Sequence, residues 1–544
     1  MRASSSAARV ALAGFVLSLI VLLANGRAIG SGDTNAVEKT AAALAERGSV
    51  ILPADETTDP FTRPADGGRI SIYSPLPALL AVPVFLGFNL FFDLTPSGIQ
   101  VAGKLSAALL SSLAVALLAA SFSRRFPAGP SLLAALLFGL GTSVFSTSQA
   151  LWQHPAVVLL LVIAIEALWR LEAAITDAER LRPGLVAALA LSLAAAARPA
   201  TIPMCAALFF FLLTRARPHA PRLLAMAVGP VLAIAAYNTL FFGAPWRFGP
   251  GLSGRFGAAF PESLAGLLVS PARGLFIFTP IALLALWGLA RESRRSALAR
   301  ALLAAASLHF VFMSAWNEWH GGESFGPRLL TDLLPALFFF LPEALLAAPK
   351  SGALLGGLSI AIQLLGGWTY DYRWERLHQR GLEFDAALWS WRDSPIAFAL
   401  REGVVVQGSP VVEGRRLRLA LRRSTPFGAS GSIIESTPGG LRISGSGLVR
   451  DVRLERGARL SSGWISLAHP GDAVAFRAET GGSRVLHLVG SLQGTLAVGT
   501  QSGSISTPLA GDFDLQIPLV LESGEDVFVR AAVGELRLAR LDVR

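Results

Sequence analysis

In 544 residues the chain has one cysteine, Cys205, three lysines (Lys39, Lys104 and Lys350) and four tyrosines. A lone cysteine excludes a disulfide framework and any cysteine-based metal site. Charged residues make up 15% of the chain, well under the roughly 25% of soluble globular domains. A purely soluble enzyme is therefore excluded. A hydrophobic share of 53% and a mean hydropathy of +0.54 exclude a disordered chain as well. There is no P-loop, no GxGxxG after a strand, no HExxH and no GxSxG. That removes an ATP-driven pump of the usual kind, a dinucleotide enzyme, a zincin and an α/β-hydrolase. Internal repeats, collagen-like stretches and coiled-coil heptads are also missing.

What the chain has in quantity is arginine and long apolar runs. The net charge is +10 and the pI about 10.7, a balance that in a soluble chain would suggest nucleic acid. Arginine stays charged at any depth and binds phosphate or carboxylate through two parallel hydrogen bonds. The positions of the arginines decide what they do.

Apolar runs fall near 10–24, 103–121, 131–148, 156–170, 184–197, 200–214, 223–242, 274–290, 299–315, 329–347 and 352–368. Each approaches the roughly 20 residues that cross a bilayer, which gives about eleven spans. The first doubles as a targeting signal behind Arg2 and Arg9. The run 74–92 is apolar but holds Pro75, Pro77, Pro83 and Gly87, and it is read as a helix lying on or dipping into the outer surface of the membrane. With that choice Arg124-Arg125, the arginines at 170–182, those at 215–222 and those at 291–300 all lie on the side of Arg2 and Arg9. The positive-inside rule then places the N-terminus in the cytoplasm and the segment after Gly367 outside. The expected protein is a mainly α, multi-pass protein of a bacterial cytoplasmic membrane. Its membrane domain covers 1–370, with a first outer loop at about 25–101. A linker follows at 371–400. From 401 to 544, short alternating stretches such as Leu536-Arg537-Leu538-Ala539-Arg540-Leu541, separated by Gly, Ser and Pro turns, predict an all-β, sandwich-like domain outside the membrane.

Unusual residues collect in the expected outer loops. Gly30-Ser31-Gly32-Asp33-Thr34 puts an acid at the membrane surface, beside glycines that would let a substrate approach. Asp55, Glu56, Asp59 and Asp66 read as solvated loop charges. Tyr73 precedes the Pro-rich helix. Several outer helix starts pair a cation or imidazole with proline: His154-Pro155, Arg198-Pro199, Pro271-Ala272-Arg273 and Pro327-Arg328. Proline suits a first helical turn, but a cation there opposes the helix dipole by about 0.3–1 kcal/mol. An anion among these helix ends would remove the conflict. The densest polar stretch runs from Trp316-Asn317-Glu318-Trp319-His320 through Gly321-Gly322-Glu323-Ser324 to Arg328. Its tryptophans suit a membrane interface, its glycine pair suits backbone N–H groups turned to an anion, and His320 suits phosphate binding or proton transfer. His320 with Glu318 or Glu323 would also be the place for a divalent metal, although the spacing matches no strong metal motif. His309 reads as a core residue, and His219 is given no role. Glu166 and Asp332 lie in or near spans with no partner visible in the sequence.

The order of these pieces resembles the integral-membrane glycosyltransferases of the GT-C superfamily, in the bacterial group related to aminoarabinose transferase and protein O-mannosyltransferases. The resemblance covers about residues 8–370. It rests on Asp33, Tyr73 to Phe92, Leu151-Trp152-Gln153-His154-Pro155, Ala197-Arg198-Pro199, Tyr237-Asn238 with Phe242-Gly243-Ala244-Pro245, Ser270-Pro271-Ala272-Arg273-Gly274, Trp319-His320-Gly321-Gly322 and Phe325-Gly326-Pro327-Arg328. It implies a polyprenyl-phosphate sugar donor, entering from the bilayer, and inverting transfer of a hexosyl or pentosyl unit to an envelope lipid, glycan or protein. On that reading Asp33 is the base for the acceptor hydroxyl. Arg198, Arg273, His320 and Arg328 hold the leaving lipid phosphate, with His154, Tyr73, Glu318 and Glu323 as further binding residues. The second acid usual in such sites would be Glu38, Glu318 or Glu323. No nucleic acid is expected as a partner. The main rival is a transporter or flippase of lipid-linked sugars, which should show paired half-spans related by repeats.

Overall fold

The computed structural model describes residues 2–53, 60–249, 256–257, 260–378 and 382–402, together with the strand segments between 412 and 543 named below. Contacts divide the chain into two units, Met1–Arg423 and Ser424–Arg544.

The first unit is mainly α. It begins with α1 (Arg2–Leu23) and α2 (Gly32–Arg47), then a small antiparallel sheet of β1 (Ile51–Leu52), β2 (Thr62–Ala65) and β3 (Gly68–Ser71) in the order β1-β3-β2. There follow α3 (Leu76–Asn89), α4 (Pro96–Ser123), α5 (Ala128–Leu140), α6 (Ser143–Thr147), α7 (His154–Ala173), α8 (Asp177–Ala197), α9 (Ile202–Arg215) and α10 (Ala220–Phe242). Next come α11 (Phe260–Val269), α12 (Leu275–Phe278), α13 (Ile281–Glu292), α14 (Ala297–Ser314), α15 (Leu334–Phe338), α16 (Leu341–Ala347) and α17 (Pro349–Thr369). Short helices α18 (Arg373–Leu377), α19 (Leu382–Trp389) and α20 (Pro395–Glu402) close the helical part. Within 371–400, the stretch expected as a linker, α18, α19 and α20 fall in the first unit. Its Trp374, Ala387 and Leu388 are buried in the main core.

Among the described residues six helices are long and apolar enough to cross a bilayer, or seven when the pair Arg328–Phe338 and Leu341–Ala347, bent by 70°, counts as one span. Hydropathy alone suggested about eleven. The difference lies partly in breaks that a sliding average smooths over. The run 131–148 stops at Gly141, and Thr142 accepts from Val144 N (3.1 Å) to cap a separate α6. The run 274–290 breaks at Thr279-Pro280, since proline disfavours helical backbone in the residue before it. The run 329–347 opens as a 3₁₀ turn, Arg328–Leu333, and bends again before Pro342. The Pro-rich run at 74–92 does form a helix, α3, with Ala78, Ala81, Phe85 and Phe88 buried and Leu79, Leu80 and Leu86 exposed. On α1, Leu12, Val16, Leu17 and Ile20 form an exposed apolar stripe, and only 11% of the apolar window of α10 is buried. Such surfaces are costly in water and unremarkable against lipid.

In the second unit hydrogen bonding joins the described strands into one ten-stranded antiparallel sheet. Before it, a two-residue pair, β4 (Val412–Glu413) and β5 (Arg418–Leu419), belongs to the first unit. The sheet comprises β6 (Ser432–Thr437), β7 (Gly440–Gly445), β8 (Val449–Glu455), β9 (Arg459–Ser461), β10 (Trp464–Leu467), β11 (Ala473–Ala478), β12 (Gly482–Thr500), β13 (Gly503–Leu521), β14 (Asp526–Val533) and β15 (Leu536–Val543). The expectation of an all-β region holds. Hydrogen bonding runs through all ten of these strands by way of the 19-residue β12. It pairs with β13 along its whole length, while its other edge takes β15 at Leu486–Leu492 and β14 at Thr495–Thr500.

Candidate functional site

Asp33 lies in the first turn of α2. Ser31 caps that helix, and its side chain accepts from Asp33 N. The neighbouring glycines make room for the protein, not for a ligand. A Cβ on Gly32 would fall 2.0 Å from the Phe61 ring, and one on Gly30 would fall 2.1 Å from Thr34 Oγ1. The space expected there for substrate is therefore taken by the protein's own side chains, and the Asp33 carboxylate is partly exposed. Arg328 Nη1 donates to Asp33 Oδ2 at 2.9 Å, and both side chains are only half-buried. The Arg328 guanidinium lies 4.5 Å from the centre of the Trp152 ring, a cation–π contact that fixes its plane.

Gly321 and Gly322 both take left-handed backbone, at φ 75° and 65°. Their N–H groups are used inside the loop: Gly321 N donates to Glu318 O (2.9 Å) and Gly322 N to His320 Nδ1 (3.1 Å). The pair thus does not present N–H groups to an anion. It clears space for Arg328 instead, since a Cβ on Gly321 would come within 3.2 Å of Arg328 Cγ. His320 packs on Phe384 with ring centres 4.8 Å apart. Glu318 is exposed, and Tyr73 stacks on Phe61 with ring centres 6.2 Å apart. Among the described residues no three His, Cys, Asp or Glu side chains gather as a metal site.

The other expected phosphate ligands meet carboxylates of the protein. Arg273 is fully buried. Its Nη2 donates to Glu375 Oε1 (2.7 Å) and to Gly322 O (3.0 Å), and its guanidinium lies 5.0 Å from the Trp374 ring centre. Burial raises the Glu375 carboxyl above its ordinary value, and Arg273 opposes that shift. Arg273 is therefore a tether from the loop before α12 to the Gly322 loop and to α18. Asp332 is fully buried. It takes His154 Nδ1 on one oxygen, at 2.9 Å, and Arg198 on the other. Asp332 thus answers the charge that the sequence left unexplained at the starts of α7 and α9. Glu166 is likewise partnered, by Arg124 (2.6 Å), Arg170 (2.8 Å) and Ser121.

Beside the site is a narrow pocket with little more free space than a water molecule needs. Trp152, which carries Arg328, forms part of its wall, with Ser146, Thr147, Gln149, Glu323, Phe325, Tyr370 and Tyr372 among the other lining residues. Tyr372 has left-handed backbone at φ 67°, unusual for a residue with a side chain, and its hydroxyl donates to Gly30 O. That bond joins the segment after α17 to the loop that delivers Asp33. Glu38, one turn beyond Asp33 on α2, is buried. Its Oε1 accepts from Leu151 N at 3.0 Å, and burial pushes its carboxyl up to about 8. Composition gave one hint of the residues missed here: Lys104, one of the three lysines, stands in the apolar run of α4, behind Gln149.

No family model matches the chain, and no curated protein matches it. Solved structures do resemble it. A structure of ArnT from Cupriavidus metallidurans bound to undecaprenyl phosphate is 14% identical, with a TM-score of 0.45 over 63% of this chain and 61% of that one. The Archaeoglobus fulgidus oligosaccharyltransferase in its apo form is 13% identical, with a TM-score of 0.39 over 77% of this chain and 62% of that one. Both are GT-C glycosyltransferases, the group that the residue pattern resembles. The match spans about three fifths of the length of either neighbour. Likeness at this level is loose, and the side chains carry the functional reading.

Proposed function

We propose that the chain is a membrane glycosyltransferase. It takes a hexosyl or pentosyl unit from a polyprenyl-phosphate carrier and passes it to an acceptor on the outer face of the cytoplasmic membrane. The observation that carries this reading is the half-buried Asp33–Arg328 pair, braced on Trp152. Hydroxyl, amide and aromatic groups beside that pair suit a sugar, whose hydroxyls need partners and whose C–H face packs on rings. In the resting pair each charge satisfies the other. A donor phosphate competes for the Arg328 guanidinium, which binds phosphate with two parallel hydrogen bonds. Asp33 is then released to accept the proton of the acceptor hydroxyl as that oxygen attacks the anomeric carbon. As the bond to the carrier breaks, charge grows on the phosphate oxygen, and Arg328 is already placed to hold it. The donor is itself activated, so no nucleotide is consumed.

The test is transfer by protein purified into lipid nanodiscs and supplied with polyprenyl-phosphate sugars and envelope extract. Asp33→Asn keeps the shape of the carboxylate and should lower kcat by about 10²–10⁴-fold, the usual range for a general base. An Asp33→Asn protein that transfers sugar at the wild-type rate removes Asp33 as the base. A wild-type protein that consumes no polyprenyl-phosphate sugar removes the enzyme reading.

A further inference from the structure

Lys104 and Arg27 are both more than nine-tenths buried, with 5% and 8% of their surface exposed. Burying a charge is expensive unless hydrogen bonds and nearby charge compensate it. Both cations brace one loop, the stretch between α1 and α2 that delivers Asp33. Lys104 Nζ donates to Asn25 Oδ1, Arg27 O and Gln149 Oε1 (3.1 Å). Arg27 donates to Gly367 O (3.5 Å) and Tyr370 O, at the C-terminal end of α17. Carbonyls at a helix C-terminus carry partial negative charge, so a cation is favourable there without a carboxylate. Asn25 Nδ2 donates to the same Gly367 O at 2.8 Å, and Ile29 N donates to Gln149 O at 2.9 Å. The loop before Asp33 is thus tied to the end of α17.

The same stretch of chain holds the loop that ends at Arg328. Phe325 lies so close to α17 that a Cβ on Gly366 would fall 2.1 Å from its ring, and Tyr370 packs on that ring with centres 5.8 Å apart. Glu375 fixes Arg273, whose Nη2 also donates to Gly322 O. Tyr372 reaches the other side, where its hydroxyl donates to Gly30 O, directly before the Ser31 cap of the Asp33 helix. Among the described residues Tyr372 is the only non-glycine with positive φ. Such an outlier persists only where its surroundings over-determine it, and outliers of this kind cluster at functional sites. The contacts close a circuit. It runs from Asp33 to Arg328, through Gly322 and Arg273 to Glu375, along the chain to Tyr372, and through Gly30 back to Asp33. We propose that residues 367–375 form a clamp that sets the spacing of Asp33 and Arg328, with Tyr372 as the positioning residue for Asp33. The inference rests on the reading of Asp33 as the base. Asp33 acts only as the acceptor oxygen attacks, so its placement is felt in kcat. Arg328 keeps its own tether through Gly322 and Arg273, so donor binding does not depend on Tyr372.

The test combines kinetics with a distance that needs no transfer. In nanodiscs Tyr372→Phe removes one hydroxyl and should lower kcat by as much as about 10²-fold, the cost of roughly 1 Å of misplacement. The donor KM should stay unchanged, the pattern of an interaction used only in the transition state. In the Asp33→Asn background the same change should do nothing further, because residues that act through one another are not additive. Spin labels on Glu46→Cys and Glu318→Cys, both exposed positions, report the spacing of α2 and the Gly321 loop, with Cys205 buried and silent. Pulsed electron spin resonance should give one narrow distance with Tyr372 in place and a broader spread with Tyr372→Phe. An unchanged kcat overturns the inference. So does an equal fractional loss in both backgrounds, the mark of a general loss of folded protein, and so does an unchanged distance distribution. A wild-type protein that transfers no sugar removes the enzyme reading alone, and the label distances still decide whether Tyr372 holds the two loops.

Discussion

Asp332 offers a prediction that separates a structural role for Arg198 from a role in binding substrate. Its carboxylate has no exposed surface and bridges His154 and Arg198. Asp332→Asn keeps the size of the side chain and removes its charge. The Arg198 side chain, 12% exposed, is left as an uncompensated cation. Breaking one partner of such a buried pair costs about 3–5 kcal/mol, or about two to three and a half decades in the unfolding equilibrium. Removing both charges in Asp332→Asn with Arg198→Met should recover most of that loss, because apolar replacement of a whole buried pair is often neutral. Unfolding in nanodiscs, followed by tryptophan fluorescence against denaturant, reads the three proteins side by side. A single variant within about 0.5 kcal/mol of wild type, the scatter of a neutral surface change, refutes the argument. So does a double variant no more stable than the single. Transfer kinetics of the double variant then decide function. A folded protein with unchanged KM for the donor means that Arg198 serves Asp332. A raised KM means that Arg198 also reaches the donor phosphate, as the sequence suggested.

Arg328→Lys keeps the charge but loses the planar contact with Trp152 and two-point phosphate binding, and should raise the donor KM about tenfold or more in steady-state transfer, while Asp33 stays in place. Gly322→Ala places a side chain at φ +65°, at a cost of about 1–2 kcal/mol, and should lower both the unfolding midpoint and transfer. Glu38 predicts a pH dependence. Its carboxyl is at about 8 in the folded protein against 4.5 ordinarily, so between those values the folded state holds more protons than the unfolded. Stability then falls as pH rises from about 4.5 to 8, by at most ~1.4 kcal/mol per unit, and unfolding midpoints across that range should show a slope that Glu38→Gln flattens. Orientation is tested by cysteine labelling over a quiet background, since Cys205 is buried: Glu46→Cys should react from outside and Arg295→Cys only from the cytoplasm.

How far the sequence reaches depends on the distance over which each feature is decided. Helices of the first unit are legible because apolar runs are local, and the long spans α1, α4, α10 and α17 fall where hydropathy places them. Their breaks are less legible, because a window long enough to detect a span averages over Thr279-Pro280 or Gly141-Thr142. The site follows the same logic. Asp33 and Arg328 each stand out locally, one beside glycines and one beside proline, yet the bond between them spans 295 positions. Asp332 is inconspicuous in the sequence because both of its partners are remote, 178 positions away at His154 and 134 at Arg198. A local reading therefore saw cations at helix starts without their counter-charge and assigned all of them to a ligand. The structure divides that set. Arg198 and Arg273 are neutralised by Asp332 and Glu375, whereas Arg328 is paired with the half-buried carboxylate of Asp33. Among the described residues the buried lysine and arginine side chains without a carboxylate partner are Lys104 and Arg27. Charge compensation, which no window of sequence can compute, is what separates Arg198 and Arg273, each held by a buried carboxylate, from Arg328, whose carboxylate partner is partly exposed.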